Sequence, residues 1–293
     1  MFRTKLFGTL IVTLLIPFAD AQTPMLDGVE DMHVRIGGYP EVLQLHDTKE
    51  LDAMINFEAF IESGLLGAEV TMFDDGKSAT QAFANGDLDG MFLTTVDYFA
   101  IAQYANPQHI YSLTWDGEPS QTYSLLVPKR ARKIKDLLDL HGKELTLGIG
   151  TSLAALVLNA ESQLLKQNSK KAKPLMLKRM RRVRNSETAL VDLMFGKTDA
   201  VLVPTLAYQA MSKANPQTAK QLKQVFVSDP YVPGVFVLHQ DLPAVVREQA
   251  VKSFVNMHNN EAGQHILELF QAKEVVRVDV QQLSNVRTLF AAR

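Results

Sequence analysis

A motif that occurs twice constrains this chain more than any other feature. Ala84-Asn85-Gly86-Asp87-Leu88-Asp89 leads into an apolar run and then Thr94-Thr95 and Tyr98, while Phe195-Gly196-Lys197-Thr198-Asp199 leads into a second run, Pro204-Thr205 and Tyr208. In both copies glycine precedes aspartate by three residues and aspartate precedes tyrosine by nine. A second echo pairs the apolar segments 123–127 and 235–238, each followed by a charged turn and a helical pattern. Strands alternating with helices at this spacing predict an α/β fold of two similar lobes, with mostly parallel sheets covered on both sides. The second echo predicts two strands that cross between the lobes, at 122–127 and 230–238. Lobe one then comprises 32–120 and 236–293, and lobe two 121–235, with a hinge near 120–122 and 229–232. Ligands on such sheets sit beyond the carboxyl ends of strands, here in the cleft between lobes.

The remaining pattern fills in the elements. Strands are expected at 33–36, 69–73, 89–93, 145–149 and 200–203, and helices at 51–65, 78–84, 134–140, 186–195, 206–211 and over 243–270 with a break at Asn259-Asn260. The stretch 144–165 stands out. An apolar strand ends in Gly148-Ile149-Gly150, and Thr151 and Ser152 open a helix whose apolar face is Leu153, Leu156, Val157, Ala160 and Leu164. Glycines admit close backbone approach, and a helix start offers unpaired N–H groups and partial positive charge, which together form an anion cradle. The alternative reading is a plain cap, since serine and threonine cap any helix.

Residues 1–21 carry Arg3 and Lys5, an apolar run from Leu6 to Phe18, and Ala19 and Ala21. That is the pattern of a cleavable secretory signal, too short for a membrane span. Removing Arg3, Lys5 and Asp20 with it takes the count from 30 basic and 32 acidic residues to 28 and 31, a net charge of −3. Such a balance gives no pull toward nucleic acid. The chain has no cysteine, which excludes disulfides, thiolate nucleophiles, zinc–thiolate sites and a lipidated cysteine. The expectation is a protein exported to the periplasm, not a lipoprotein, and monomeric.

Candidate ligand contacts are Thr151, Ser152, Leu153, Thr94, Thr95, Tyr98, Tyr39 and Thr205, with Trp115 a possible aromatic wall. Each has a structural alternative: threonines end strands, and Tyr98 and Tyr208 can pack with hydroxyls at an edge. Asp89 and Asp199, each just before a buried strand, are expected to bind nearby backbone. His258 and His265 lie too far apart for a metal site, and no cofactor motif occurs. The run 166–184 holds nine basic residues and no acid, which reads as a solvated face, a source of positive potential at the cleft, or a dock for an acidic partner. No Gly-x-Ser-x-Gly or related signature supports catalysis, so the chain is read as a non-enzyme.

The leader, the lobes and the motif order resemble the periplasmic solute-binding proteins of ABC importers, in the branch that binds phosphonate, phosphate or phosphite. The resemblance rests on Phe83-Ala-Asn-Gly-Asp-Leu-Asp-Gly90 with Tyr98, Gly150-Thr-Ser152 at a helix start, Gly196-Lys-Thr-Asp199 with Tyr208, and Val237-Leu-His-Gln-Asp-Leu-Pro243. It implies a type II two-lobe fold, with an oxyanion held at Thr151, Ser152 and Leu153 and met from the facing lobe near Thr94, Thr95 and Tyr98. It also implies closure of the lobes over the ligand and delivery to a membrane permease. The same fold serves an alternative role, a periplasmic sensor signalling to a membrane histidine kinase. Two departures stand out: Pro204 and Thr205 where relatives often carry an acid, and Asn185-Ser186-Glu187 where they often carry a histidine.

Overall fold

A computed structural model describes residues 34–43, 68–150, 153, 154, 157, 158, 175–183, 185–270 and 272–291. The leader, the helix expected over 51–65, Thr151, Ser152 and most of the basic run lie outside them.

Strands β1 (Val34–Gly38), β2 (Ala68–Met72), β3 (Gly90–Thr94), β4 (Ala105–Leu113), β10 (Gly234–His239) and β11 (Val275–Arg277) form one sheet, ordered β11-β4-β10-β3-β1-β2. Strands β5 (Tyr123–Pro128), β6 (Glu144–Leu147), β7 (Arg179–Arg182), β8 (Ala200–Pro204) and β9 (Leu222–Val227) form the other, ordered β7-β6-β8-β5-β9. The order β2-β1-β3-β10-β4 in the first repeats as β7-β6-β8-β5-β9 in the second. Pairing directions repeat too: β1 is parallel to β2 and β3, and β6 to β7 and β8, while β10 and β5 run antiparallel to both their neighbours. The sheets are thus mixed, because each takes in a strand that arrives from the crossing and runs against both its neighbours, and in the first sheet β11 also pairs antiparallel, with β4.

The doubled motif has a physical basis. Helices α2 (Gly76–Ala84) and α4 (Ser186–Met194) are capped by Asp75 and Asn185, whose side chains accept from the N–H groups of Ser78 and Thr188. Both end on a left-handed glycine, Gly86 at φ +80° and Gly196 at φ +71°. The Asp87 N–H reaches back to Ala82 O and the Lys197 N–H to Asp192 O, the same closing bonds in both lobes. Asp89 then exchanges two bonds with Arg35, its Oδ2 accepting the Arg35 N–H at 2.8 Å and its N–H donating to Arg35 O at 2.8 Å. Asp199 does the same with Glu144, at 2.9 and 3.1 Å. Glycine reverses the chain and aspartate pins the next strand to its neighbour.

Both faces of each sheet are covered. Alternate residues of β10 split between two cores: Phe236 and Leu238 pack with helices α7 (Ala244–Val255) and α8 (Glu261–Leu269), Val235 and Val237 with α2 and α3 (Thr95–Ile101). In the second sheet Val201 and Val203 face α4, whereas Ala200 and Leu202 face a core holding Leu153, Val157 and Leu137. Between the sheets, Gln121 and Tyr231 exchange backbone bonds of 2.8 Å each way, and Asn285 on α9 (Ser284–Ala291) donates to Pro230 O at 3.2 Å. The helix expected over 134–140 shrinks to one 3₁₀ turn at Leu138–Leu140, since Asp139 accepts from the Lys135 N–H and Asp136 from the Leu138 N–H. Those side-chain bonds compete with a helical ladder.

At the second sheet's edge, Asp192 sits between Arg181 at 2.7 Å and Lys197 at 3.2 Å. The Arg181 hydrogen bond holds its carboxyl below the usual range against the opposing effect of burial, with Lys197 adding to the lowering. A carboxyl depressed on folding contributes stability above its unfolded value, about 4, and loses it as pH falls through the lower folded value. Asp192→Asn is therefore expected to narrow the gap to wild type in urea midpoint between pH 7 and pH 3. An equal gap at both pH values sinks this assignment.

Candidate functional site

The carboxyl ends of β1, β3, β6 and β8 point into one cleft between the sheets. After β1, Tyr39 leads into the one-turn helix α1 (Pro40–Leu43), and β3 ends at Thr94, which caps α3. The sequence Thr94-Thr95-Val96-Asp97 is a capping box with a tyrosine inserted. Thr94 Oγ1 accepts from the Asp97 N–H at 3.1 Å and donates to Asp97 Oδ2 at 2.8 Å, as expected of a cap. Asp97 does not return to the Thr94 N–H. The Tyr39 hydroxyl lies between them, accepting from the Thr94 N–H at 2.8 Å and donating to Asp97 Oδ2. Burial, then the charge of Asp97 and the bond to it, push the Tyr39 phenol well above its ordinary value.

From the other sheet, β6 runs into Gly148-Ile149-Gly150. The Gly148 N–H donates to Leu202 O at 2.9 Å and Gly148 O accepts from Ser186 Oγ at 3.1 Å, tying the turn to β8 and to the start of α4. A Cβ on Gly148 would lie 2.8 Å from Ser186 Cα, so the turn needs glycine there. The Ala154 N–H donates to Gly150 O at 3.0 Å, closing a helical turn on Gly150. The cleft encloses about 960 Å³, and its lining includes Thr94, Gly148, Ile149, Gly150, Leu153 and Asn185. It continues beneath an aromatic face of the first sheet that includes Phe92, Tyr111 and Phe236. The charged residues among the described lining are Glu41, Asp116 and Glu187 against Lys213.

The structure places the candidate residues unevenly. Thr94 and Leu153 border the cleft. Thr95 is fully buried, its N–H on Pro233 O at 3.2 Å and its Oγ1 without a hydrogen-bond partner. Tyr98 packs edge-on against Phe99 in the core, where burial raises its phenol. Thr205 shares a 2.8 Å bond with Ser124 Oγ. Trp115 lines the cleft while donating to Phe270 O at 3.0 Å. Thr151 and Ser152 lie outside the described residues. Sequence reasoning passed over Asp97 and Glu41. The Thr-x-x-Asp spacing signals the first, and an acid just after the Gly-Gly-Tyr-Pro turn is the only signal for the second.

The sequence model of the ABC-transporter phosphonate periplasmic substrate-binding family matches residues 53–283. The chain belongs to that family. It is therefore the periplasmic substrate-binding component of a transporter, not an enzyme, with a small-molecule ligand and a membrane permease as partner. Similar solved structures include a binding-protein component of an ABC phosphonate transporter from Pseudomonas aeruginosa (15% identity, 88% of this chain and 85% of that one, TM-score 0.62). PhnD1 from Prochlorococcus marinus in complex with methylphosphonate is similar at 15% identity over 89% and 97% of the two chains, TM-score 0.62. XAC2383 from Xanthomonas citri bound to ATP is similar at 15% identity over 88% and 96%, TM-score 0.60. At that identity they share the fold with this chain: two α/β lobes of the type II class. No curated protein sequence matches it.

Proposed function

We propose that this protein captures a small oxyanion, phosphate or a phosphonate, by closing its two lobes, and delivers it to the permease of its importer. The observation that carries the reading is the Gly148-Ile149-Gly150 turn, which brings a helix start and the capped end of α4 to the same cleft. Helix starts favour anions through free N–H groups and the helix dipole. Thr151, Ser152 and Leu153 are the contacts proposed from lobe two, and Thr94 from lobe one. Family membership favours delivery to a permease, and no observation favours the sensor role. The paired segments at Gln121 and Tyr231 are the proposed hinge, since ligand contacts to both lobes shift an open–closed equilibrium toward the shut state. The leader 1–21 is proposed to direct export and then be removed.

The test is a thermal-shift screen of the chain from residue 22 against phosphate, phosphite, methylphosphonate, sulfate, taurine and a panel of amino acids. A ligand at a hundred times its Kd stabilises the folded form by about 2.7 kcal/mol. An oxyanion is expected to raise Tm, and Thr151→Ala with Ser152→Ala to abolish the rise. A rise with amino acids alone overturns the oxyanion reading.

A further inference from the structure

The lining of the cleft changes character along α4. The first turn brings Ser186 and Glu187 to the cleft beside the capping Asn185, and the same helix then presents Leu190, Val191 and Met194 to it. At a rise of about 1.5 Å per residue, Met194 lies about 12 Å along the axis from Ser186. Val191 is 44% exposed and Met194 38%, apolar side chains that the core of lobe two does not take up. Helix α5 (Thr205–Ala214), which packs beside α4, extends this surface. Its Leu206, Ala207, Ala210 and Ala214 share one helical face, all four line the cleft, and no residue of the helix is buried. Lobe one supplies the other wall with Leu113, Trp115 and Phe270. There Trp115 Nε1 already donates to Phe270 O at 3.0 Å, and Ser112 Oγ to Gly234 O at 2.9 Å. These side chains offer a ligand only aliphatic and aromatic surface.

We propose that the ligand of this cleft is an oxyanion carrying an apolar substituent about the size of a phenyl ring, held between Trp115 of lobe one and Val191, Met194 and Leu206 of lobe two. The proposal rests on the oxyanion reading above and deepens it. The negative group sits at the polar end of the cleft, by the Gly148–Gly150 turn and the start of α4, and the substituent reaches one to two turns further along that helix. Exposed apolar side chains grouped in a cleft mark a contact surface. Size agrees with this: about 960 Å³ is far more than phosphate or methylphosphonate fills and lies at the upper end of the range for drug-sized ligands.

The measurement is calorimetric titration of wild type and of the double variant Met194→Gln with Leu206→Gln, using methylphosphonate and benzylphosphonate. Both replaced side chains are 38% exposed, so the fold does not rest on them. Wild type is expected to bind benzylphosphonate at least about tenfold tighter than methylphosphonate, the gain from taking a phenyl ring out of water. In the double variant the preference should fall to about twofold or less, as two polar amides replace the apolar wall. If wild type binds the two compounds equally, the apolar walls do not hold ligand, and the oxyanion reading stands without them. If the double variant keeps the full preference, the ring lies elsewhere and this proposal falls alone. If wild type binds neither compound, both proposals fall.

Discussion

Asp97→Ala is expected to lower the unfolding free energy by about 2–3 kcal/mol, the cost of removing an acceptor shared by two hydroxyls and of stranding the buried one. Its Oδ2 accepts from two hydroxyls, Thr94 Oγ1 at 2.8 Å and Tyr39 Oη, and Tyr39 is only 1% exposed. In a chain of this size the change reads as a fall in Tm of roughly 5–10 °C. Tyr39→Phe alone strands the Thr94 N–H, so it too is costly, but the double variant should cost less than the sum by about 1 kcal/mol or more. Additive effects, or an Asp97→Ala variant within about 0.5 kcal/mol of wild type, show that Tyr39, Thr94 and Asp97 do not act as a unit.

The position of that unit explains why it is so tightly bonded. It joins the end of β1, the end of β3 and the start of α3, and of these the end of β3 borders the cleft, at Thr94. Tyr39 thereby serves the site without facing it. A tyrosine spent on internal bonds holds the Gly37-Gly38-Tyr39-Pro40 corner in place, which aims Glu41 across to Gly150. The polar chemistry of lobe one is thus built from its framework outward.

Much of the architecture was legible because it is written twice. The Gly-x-x-Asp repeat marks a helix end followed by a strand pinned through its first backbone bond, and both requirements fall on local residues. Apolar runs at β3, β8 and β10 announced buried central strands. Strands away from the sheet centres escaped notice for physical reasons. Strand β7 reads Arg-Met-Arg-Arg and, among the described residues, pairs only with β6, so its side chains need no apolar pattern. Strand β4 opens with Ala-Asn-Pro-Gln-His, partly exposed, and gains its apolar face only at Ile110 and Tyr111. The two crossing strands, β5 and β10, run against their neighbours, because strand direction depends on which lobe the chain has just left. At the site, residue type alone did not separate a hydroxyl facing the cleft from one bonded inward. Thr94 and Thr95 are neighbours, yet the first borders the cleft and the second is sealed under α3. Only the helix phase set by the cap decides between them.

Gly148→Ala is expected to cost about two orders of magnitude in affinity for methylphosphonate, as misplacement of a site by about an ångström does. The added Cβ would sit 2.8 Å from Ser186 Cα and 3.0 Å from Val203 Cγ1. Neither the start of α4 nor a β-branched side chain inside β8 can step aside cheaply, so the turn itself must lift. It carries Gly150 and the helical turn closing on it, and it holds Ser186 through the 3.1 Å bond to Gly148 O. Lifting it therefore separates the two polar ends that meet in the cleft, at a stability cost of about 1–3 kcal/mol. Gly86→Ala is the control. It strains a left-handed turn at φ +80° where a new Cβ meets nothing within 4 Å, and Gly86 does not line the cleft. It should lower Tm while leaving affinity unchanged. If Gly148→Ala loses stability but binds methylphosphonate as wild type does, the ligand is not held by this turn, and the contacts must come from α4 and lobe one instead.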